Sequence, residues 1–272
     1  MPFTERAGQR LFYDELDITP PWLAAPQTII FHHGIGTTSG VWAEWLPVLA
    51  STHRLVCLDM RGFGQSPTLM DGADWSFELL AQDLLAVADA VGAKRFHLVG
   101  ESIGGTLGLH VALHHGDRLH SLTVSNGAHK GTAVKNVNPW REMMDRDGQE
   151  AWSRQLMAWR FFPGALSEEK YQWFHRTQST SSREATLDLA TLLVQADLSE
   201  DVSRIAMPTL LLSPDSSPFI PVAIMADLYA QLRDVELQVF AHSRHGLPYS
   251  HATRCATVLK RFLAERFAPD RT

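Results

Sequence analysis

The stretch Val99-Gly100-Glu101-Ser102-Ile103-Gly104-Gly105 decides how this chain reads. The apolar run Phe96-His97-Leu98-Val99 leads into it, and a helix-like run from Thr106 to His115 leads out. Strand, sharp turn carrying a serine, helix: this is the Gly-x-Ser-x-Gly arrangement known as a nucleophile elbow. The serine of such a turn takes a strained backbone angle, and side chains at Gly100 or Gly104 would collide with the neighbouring helix and strand. The strain lifts the Ser102 hydroxyl clear of the sheet, and the Ile103 amide falls at a helix N-terminus, where negative charge is favoured. The pentapeptide alone arises by chance in about one chain of this length in ten. A plain glycine-rich turn is therefore a serious alternative, and the surrounding sequence has to decide.

Upstream, Arg10 to Asp17 alternates loosely like an early strand, and Gln27 to His32 is a short β-branched run of the buried-strand kind. It ends in His33-Gly34-Ile35-Gly36. Val41 to Ala50 reads as a helix, His53 to Asp59 as the next strand, and Arg61 to Pro67 as a loop. Phe77 to Val91 has helical spacing and stops at Gly92. Beyond the elbow, Leu119 to Val124 is another strand. This alternation implies parallel βαβ units in one sheet with helices on both faces. From about Lys130 to Arg204 no strand pattern is found, only helix-like segments rich in large aromatics, including Trp140, Trp159 and Phe161. The rhythm resumes with a strand at Pro208 to Leu212, a helix from Val222 to Leu232, a strand from Val235 to Phe240 and a last helix from Ala252 to Phe267. The expected organisation is an α/β core of residues 1–129 and 204–272, with residues 130–203 inserted as a helical cap.

Composition bounds the function. The chain has 272 residues, 45% of them apolar, which is enough for one large α/β domain. Net charge is -6, from 24 Lys and Arg against 30 Asp and Glu, with no long run of either sign. That argues against nucleic acid or an anionic membrane surface as partner. Met1 to Arg6 shows no apolar h-region, and no stretch approaches the roughly 20 apolar residues that span a bilayer. Cys57 and Cys255 are read as reduced thiols, which suits a cytoplasmic protein. A homodimer is compatible with the sequence, which is otherwise silent on oligomeric state.

A serine hydroxyl is a poor nucleophile without an adjacent base, a group to orient that base, and amides to hold the oxyanion. The base belongs in a loop after a late strand. His245 stands there, with His242 as its competitor. For the oxyanion, the Ile103 amide and that of Ile35, after an early strand, are the natural donors. The acid is sought in Ser213-Pro214-Asp215-Ser216-Ser217-Pro218-Phe219-Ile220-Pro221, where Asp215 is the only carboxylate. The alternative reading of Asp215 is that it shapes a turn, as Asp after Pro often does. The end of the strand at Val124 offers only Ser125 and Asn126.

With these residues in view, the chain resembles an α/β-hydrolase from about Gln27 to Phe267. His33-Gly34, the run Asp59-Met60-Arg61-Gly62-Phe63-Gly64-Gln65-Ser66, the Ser102 elbow and His245 follow that family's order and spacing. Ser125 to Thr132 and the segment beyond are similar to 3-oxoadipate enol-lactonase-like and related carboxylic-ester hydrolases. The resemblance implies a mostly parallel sheet flanked by helices, and places the acid four residues before a proline. Here that residue is Ser217, before Pro221. Either Asp215 reaches His245 from two positions earlier, or a Ser-His dyad works with another orienter; Asp215 is the expectation carried forward. Asp59 is given a structural role.

The reading is a serine hydrolase acting on a small carboxylic ester or lactone through Ser102, His245 and Asp215. Trp140, Trp159 and Phe161 are taken as substrate-binding, and no metal or organic cofactor is called for. Amide or carbon–carbon bond hydrolysis uses the same constellation, and a non-catalytic small-molecule receptor is the alternative from another class. Epoxide hydrolase and haloalkane dehalogenase chemistry is disfavoured because those relatives carry Asp at the elbow. His110 and His114 have a metal-ligand spacing, but Val111 stands where a zinc protease would carry Glu, so a solvated helix face is the reading.

Overall fold

A computed structural model describes residues 3–6, 8–23, 25–69 and 74–267. Met1 and Pro2, part of the N-terminal stretch read above, lie outside them. The strands are β1 (Phe3–Arg6), β2 (Gln9–Leu16), β3 (Thr28–His32), β4 (Arg54–Leu58), β5 (Phe96–Glu101), β6 (Leu119–Ser125), β7 (Thr209–Pro214) and β8 (Val235–Phe240). They form one sheet in the order β1-β2-β4-β3-β5-β6-β7-β8. The β1–β2 and β2–β4 pairs are antiparallel and the rest parallel. The helices are α1 (Leu46–Leu49), α2 (Phe77–Ala90), α3 (Ile103–His114), α4 (Trp140–Arg160), α5 (Glu168–Ser179), α6 (Arg183–Gln195), α7 (Val222–Gln231), α8 (Leu247–Ser250) and α9 (Ala252–Phe267).

The central strands are buried on both faces, so their side chains serve two cores with a period of two. Ile29 and Phe31 of β3 face the layer of α1 and α9, while Ile30 faces the layer of α2 and α3. Leu210 and Leu212 of β7 repeat the first choice and Leu211 the second. The first layer is filled by Phe31, Trp42 and Trp45, with ring centroids 5.2 to 6.0 Å apart. Edge-to-face contacts of this kind add to the area they bury.

The segment read as one helix over 41–50 is instead a 3₁₀ turn (Ser39–Trp42) followed by the four-residue α1. Pro47 lacks an amide to donate, so it is accommodated only in the first turn of a helix and divides the segment. The hairpin strand β1 was absent from the sequence reading. Its four residues are too short to show a period.

Between β6 and β7 lie three of the helices, α4, α5 and α6, and no strand. The ends of this insertion meet in an antiparallel bridge between Lys130 and Asp197. Gly148, at φ 82°, breaks α4 near its middle. Cys57 and Cys255 are both free and buried. Among the described residues no helix is long and apolar enough to cross a membrane.

Candidate active site

Ser102 links β5 to α3 at φ 56°, ψ -120°, a strained backbone for a residue with a side chain. A Cβ on Gly100 would overlap the carbonyl of Gly104, and one on Gly104 would overlap the carbonyl of His32. Only glycine lets strand and helix approach this closely. The Ser102 amide donates to Ser125 O at 2.9 Å, which ties the turn to β6.

The base loop follows β8. His245 Nε2 lies 3.2 Å from Ser102 Oγ. The carbonyl of His245 accepts from the Asn126 side chain at 2.7 Å, and the next amide, of Gly246, donates to Arg160 O at 2.9 Å. Asn126 stands at the end of β6, where the sequence offered no acid, and it holds the backbone of the loop. The ring packs edge-on against Phe219 at 4.8 Å. Burial first, and the Arg160 guanidinium second, keep His245 well below the ordinary histidine range. It is therefore a neutral base near pH 7. The competitor His242 lies away from the site, stacked on Phe162.

On the other side of the ring, Ser217 Oγ lies 3.1 Å from His245 Nδ1. The same oxygen accepts the amides of Phe219 at 3.3 Å and Ile220 at 3.1 Å. A hydroxyl has one proton and two lone pairs. With both lone pairs turned to amides, the Ser217 proton points at Nδ1, and the imidazole proton then sits on Nε2. The tautomer that can take a proton from Ser102 carries its own on Nδ1. In that state Ser217 accepts from the ring.

The expectation that Asp215 reaches His245 is not met. Its carboxylate is exposed and accepts the amides of His242 at 2.8 Å and Ser243 at 3.0 Å. It caps the turn that begins the base loop, the structural reading weighed above. Ser217 occupies the place beside Nδ1 because β7 ends at Pro214 and the loop needs three more residues to come over the ring.

No hydrogen bond occupies the amide of Ile35 or Ile103 among the described residues. The loop carrying Ile35 is fixed by His33, whose Nε2 accepts the Met60 amide at 2.8 Å while Nδ1 donates to Gly34 O at 2.8 Å. Asp59 takes the amides of Ser39 and Gln65, a structural role as read.

A narrow cleft lies over Ser102 and is bounded by Ile35, Trp140, Arg160, Leu193, Phe219 and His245. As closed as it is here, it admits groups about the size of a water. Of the three aromatics expected at the substrate, Trp140 lines it. Trp159 packs on Phe219 from outside the cleft, and Phe161 packs against Phe174 and Tyr249. Arg160, between them, is the residue that faces in, because neighbours on a helix point about 100° apart.

Arg160 and Glu101 are the residues that sequence reasoning missed. Arg160 is 2% exposed and Glu101 4%. Arg160 Nη2 donates to Ile35 O at 2.9 Å, while its Nε has no partner. Glu101 Oε1 lies 3.9 Å from Arg160 Nη1 and 3.9 Å from His245 Nε2. Burial pushes the Glu101 carboxyl up to about 7 against the opposing pull of Arg160 and the Gly34 amide. The available signals were an acid inside the elbow itself and a lone cation in the run Trp159-Arg160-Phe161-Phe162.

Among the described residues no three His, Cys, Asp or Glu side chains are grouped to hold a metal ion. The His110 and His114 rings lie tilted with centroids 4.4 Å apart, and His110 and His115 both reach Glu78 at 3.2 Å.

Comparison with known proteins supplies the family to which this fold belongs. RutD of Pantoea ananatis (strain LMG 20103), which carries the name of a carbamate hydrolase, is 28% identical over 233 residues, 82% of this chain and 83% of that protein. 3-Oxoadipate enol-lactonase 1 of Acinetobacter baylyi is 27% identical over 193 residues, 70% of this chain and 71% of the enzyme. The crystal structure of the enol-lactonase from Burkholderia xenovorans LB400 superposes with a TM-score of 0.85 at 20% identity, covering 97% of this chain and 100% of that one. The family model for the alpha/beta hydrolase fold matches residues 27–252. This chain belongs to the α/β-hydrolase fold family.

Proposed function

We propose that this protein is a serine hydrolase that cleaves a small carboxylic ester or lactone through an acyl-enzyme on Ser102. The observation that carries the reading is the 3.2 Å approach of His245 Nε2 to Ser102 Oγ in a strained elbow beside two unoccupied amides. Ser102 Oγ attacks the carbonyl carbon and its proton passes to Nε2. The carbonyl electron pair becomes the oxyanion, held by the amides of Ile35 and Ile103. His245 then protonates the leaving oxygen as the carbon–oxygen bond breaks. Water, deprotonated by His245, releases the acid and restores Ser102. Residues 130–203 serve as the cap, which must shift to admit substrate to so closed a cleft, and Trp140 offers an apolar wall.

The carbamate-hydrolase name of one relative brings carbamates into the substrate set, since they place the same kind of carbonyl before the same nucleophile. A second reading, binding of a small molecule without turnover, draws on Ser217 in place of an acid. Both readings meet one experiment: intact mass after exposure to a fluorophosphonate, followed by a panel of small esters, lactones, carbamates and amides. Wild type should gain one phosphonyl adduct and Ser102→Ala none. An unlabelled wild-type protein, stabilised by a panel member without product, would replace the enzyme by the receptor.

A further inference from the structure

A triad acid compensates the positive charge that the imidazole acquires in the transition state. At Nδ1 of His245 stands the neutral hydroxyl of Ser217, and the carboxylate of Asp215 is occupied by two amides elsewhere. The carboxylate facing the ring is on the other side. Glu101 is the residue before the nucleophile, and its Oε1 lies 3.9 Å from Nε2, the atom that receives the Ser102 proton.

Its placement is built into the fold. β5 delivers Glu101 beside Ser102, the Gly34 amide donates to its carboxylate, and a Cβ on Gly34 would overlap Oε2. Arg160 of α4 stands 3.9 Å away, and its single close hydrogen bond goes to Ile35 O. A guanidinium buried beside the catalytic ring opposes formation of an imidazolium there, so the site needs a negative charge to offset it.

We propose that Glu101 is the counter-charge of His245, stabilising from the Nε2 side the imidazolium that no acid stabilises at Nδ1. This rests on the serine-hydrolase reading. Glu101 touches no reacting atom; it acts through His245 and is a positioning residue. The charged and titratable groups facing this ring are Glu101 from β5 and Arg160 from α4, with Ser102 and Ser217 as its hydroxyl partners. His245 stays neutral well below pH 6.5, so the acid limb of the rate profile belongs to Glu101, which ionises at about 7.

The test is the second-order rate of fluorophosphonate labelling from pH 5.5 to 9, for wild type, Glu101→Gln, Glu101→Asp, Ser217→Asp and the Glu101→Gln, Ser217→Asp double variant. Wild type should show a limb near pH 7. Glu101→Gln should lose about tenfold at pH 8 and lose the limb. Glu101→Asp, which keeps the charge, should keep a limb and an intermediate rate, and carries the test if the glutamine variant does not fold. In the Ser217→Asp background the loss should shrink to under threefold, because the ring then has an acid at Nδ1. Glutamine or aspartate variants with the wild-type rate and limb, or a loss of equal size in both backgrounds, overturn the proposal. A wild-type protein that does not label overturns the serine-hydrolase reading beneath it.

Discussion

Ser217 Oγ faces His245 Nδ1 at 3.1 Å, and the amides of Phe219 and Ile220 converge on the same oxygen. Two amide donors, joined by the Nδ1 proton in the reactive tautomer, make a cradle better suited to a carboxylate than to a hydroxyl, which must spend one of its bonds donating. The loop keeps the shape of a triad-acid loop while carrying a residue that can face the ring as donor or acceptor.

Ser217→Asp should therefore raise both labelling and turnover. A carboxylate only accepts, so it fixes the proton on Nδ1 and frees Nε2 to act as base. A gain on the order of ten- to a hundredfold in kcat is expected. An unchanged or lower kcat, in a variant with wild-type thermal stability, would mean that tautomer choice does not limit the reaction.

Asp215→Asn should leave the labelling rate within about threefold of wild type, since its carboxylate bonds the His242 and Ser243 amides and not the ring. Its cost falls on stability, about 1 kcal/mol for weakened acceptors at an exposed turn. Thermal melting and labelling of the one variant separate the two effects.

Removing Arg160 should act on pH dependence. Arg160 opposes the burial of Glu101, so Arg160→Met leaves that carboxylate without its cation and raises its pKa further. The acid limb should move above pH 7. A limb at the wild-type position would contradict this.

Stability should fall on acidification. Burial holds His32 at about 3, His53 at about 4 and His97 at about 2. These rings stay neutral when folded and charge when unfolded, so the stability they lend is present above pH 6.5 and lost as pH falls below it. At pH 5 each costs about 2 kcal/mol. Glu101 acts in the opposite sense: its raised pKa makes the folded state more stable as pH falls from 7 towards 4.5. Three rings outweigh one carboxyl, leaving a net loss of about 3 kcal/mol between pH 7 and 5, or on the order of 5–10 °C in Tm. Glu101→Gln should steepen that fall.

Asp83→Ala should be among the most damaging changes far from the site. Asp83 of α2 receives a bidentate pair from Arg61 at 2.7 Å and a third bond from Arg6 at 3.0 Å, with Arg61 fully buried. Removing the acid leaves a buried guanidinium uncompensated, at a cost of about 3–5 kcal/mol. Chemical denaturation measures it directly.

The α/β sheet was legible because its strands are short apolar runs separated by helix-spaced segments, and local pattern is what such a sheet imposes on each strand. The elbow was legible because Gly100 and Gly104 answer a steric demand made within five residues of Ser102. His245 could be named from its place after β8. The rest of the site lay beyond that reach. Which residue of the 215–217 loop meets the ring depends on where β7 ends and how the chain crosses above it, so the lone carboxylate attracted a role that Ser217 fills by position. Arg160 stands out as a cation between Trp159 and Phe161, but only when α4 is docked does its rotation turn Arg160 inward. Glu101 shows in the sequence as an acid inside the elbow, but the elbow pattern does not specify the residue between glycine and serine and so gives that acid no role. Its proximity to His245 and Arg160 arises only when β5, α4 and the loop after β8 are brought together. Local sterics and hydrophobic periodicity wrote the fold and the nucleophile into the sequence, whereas the charges around the base come from segments 59 to 144 residues apart in the chain, and only tertiary packing set their distances.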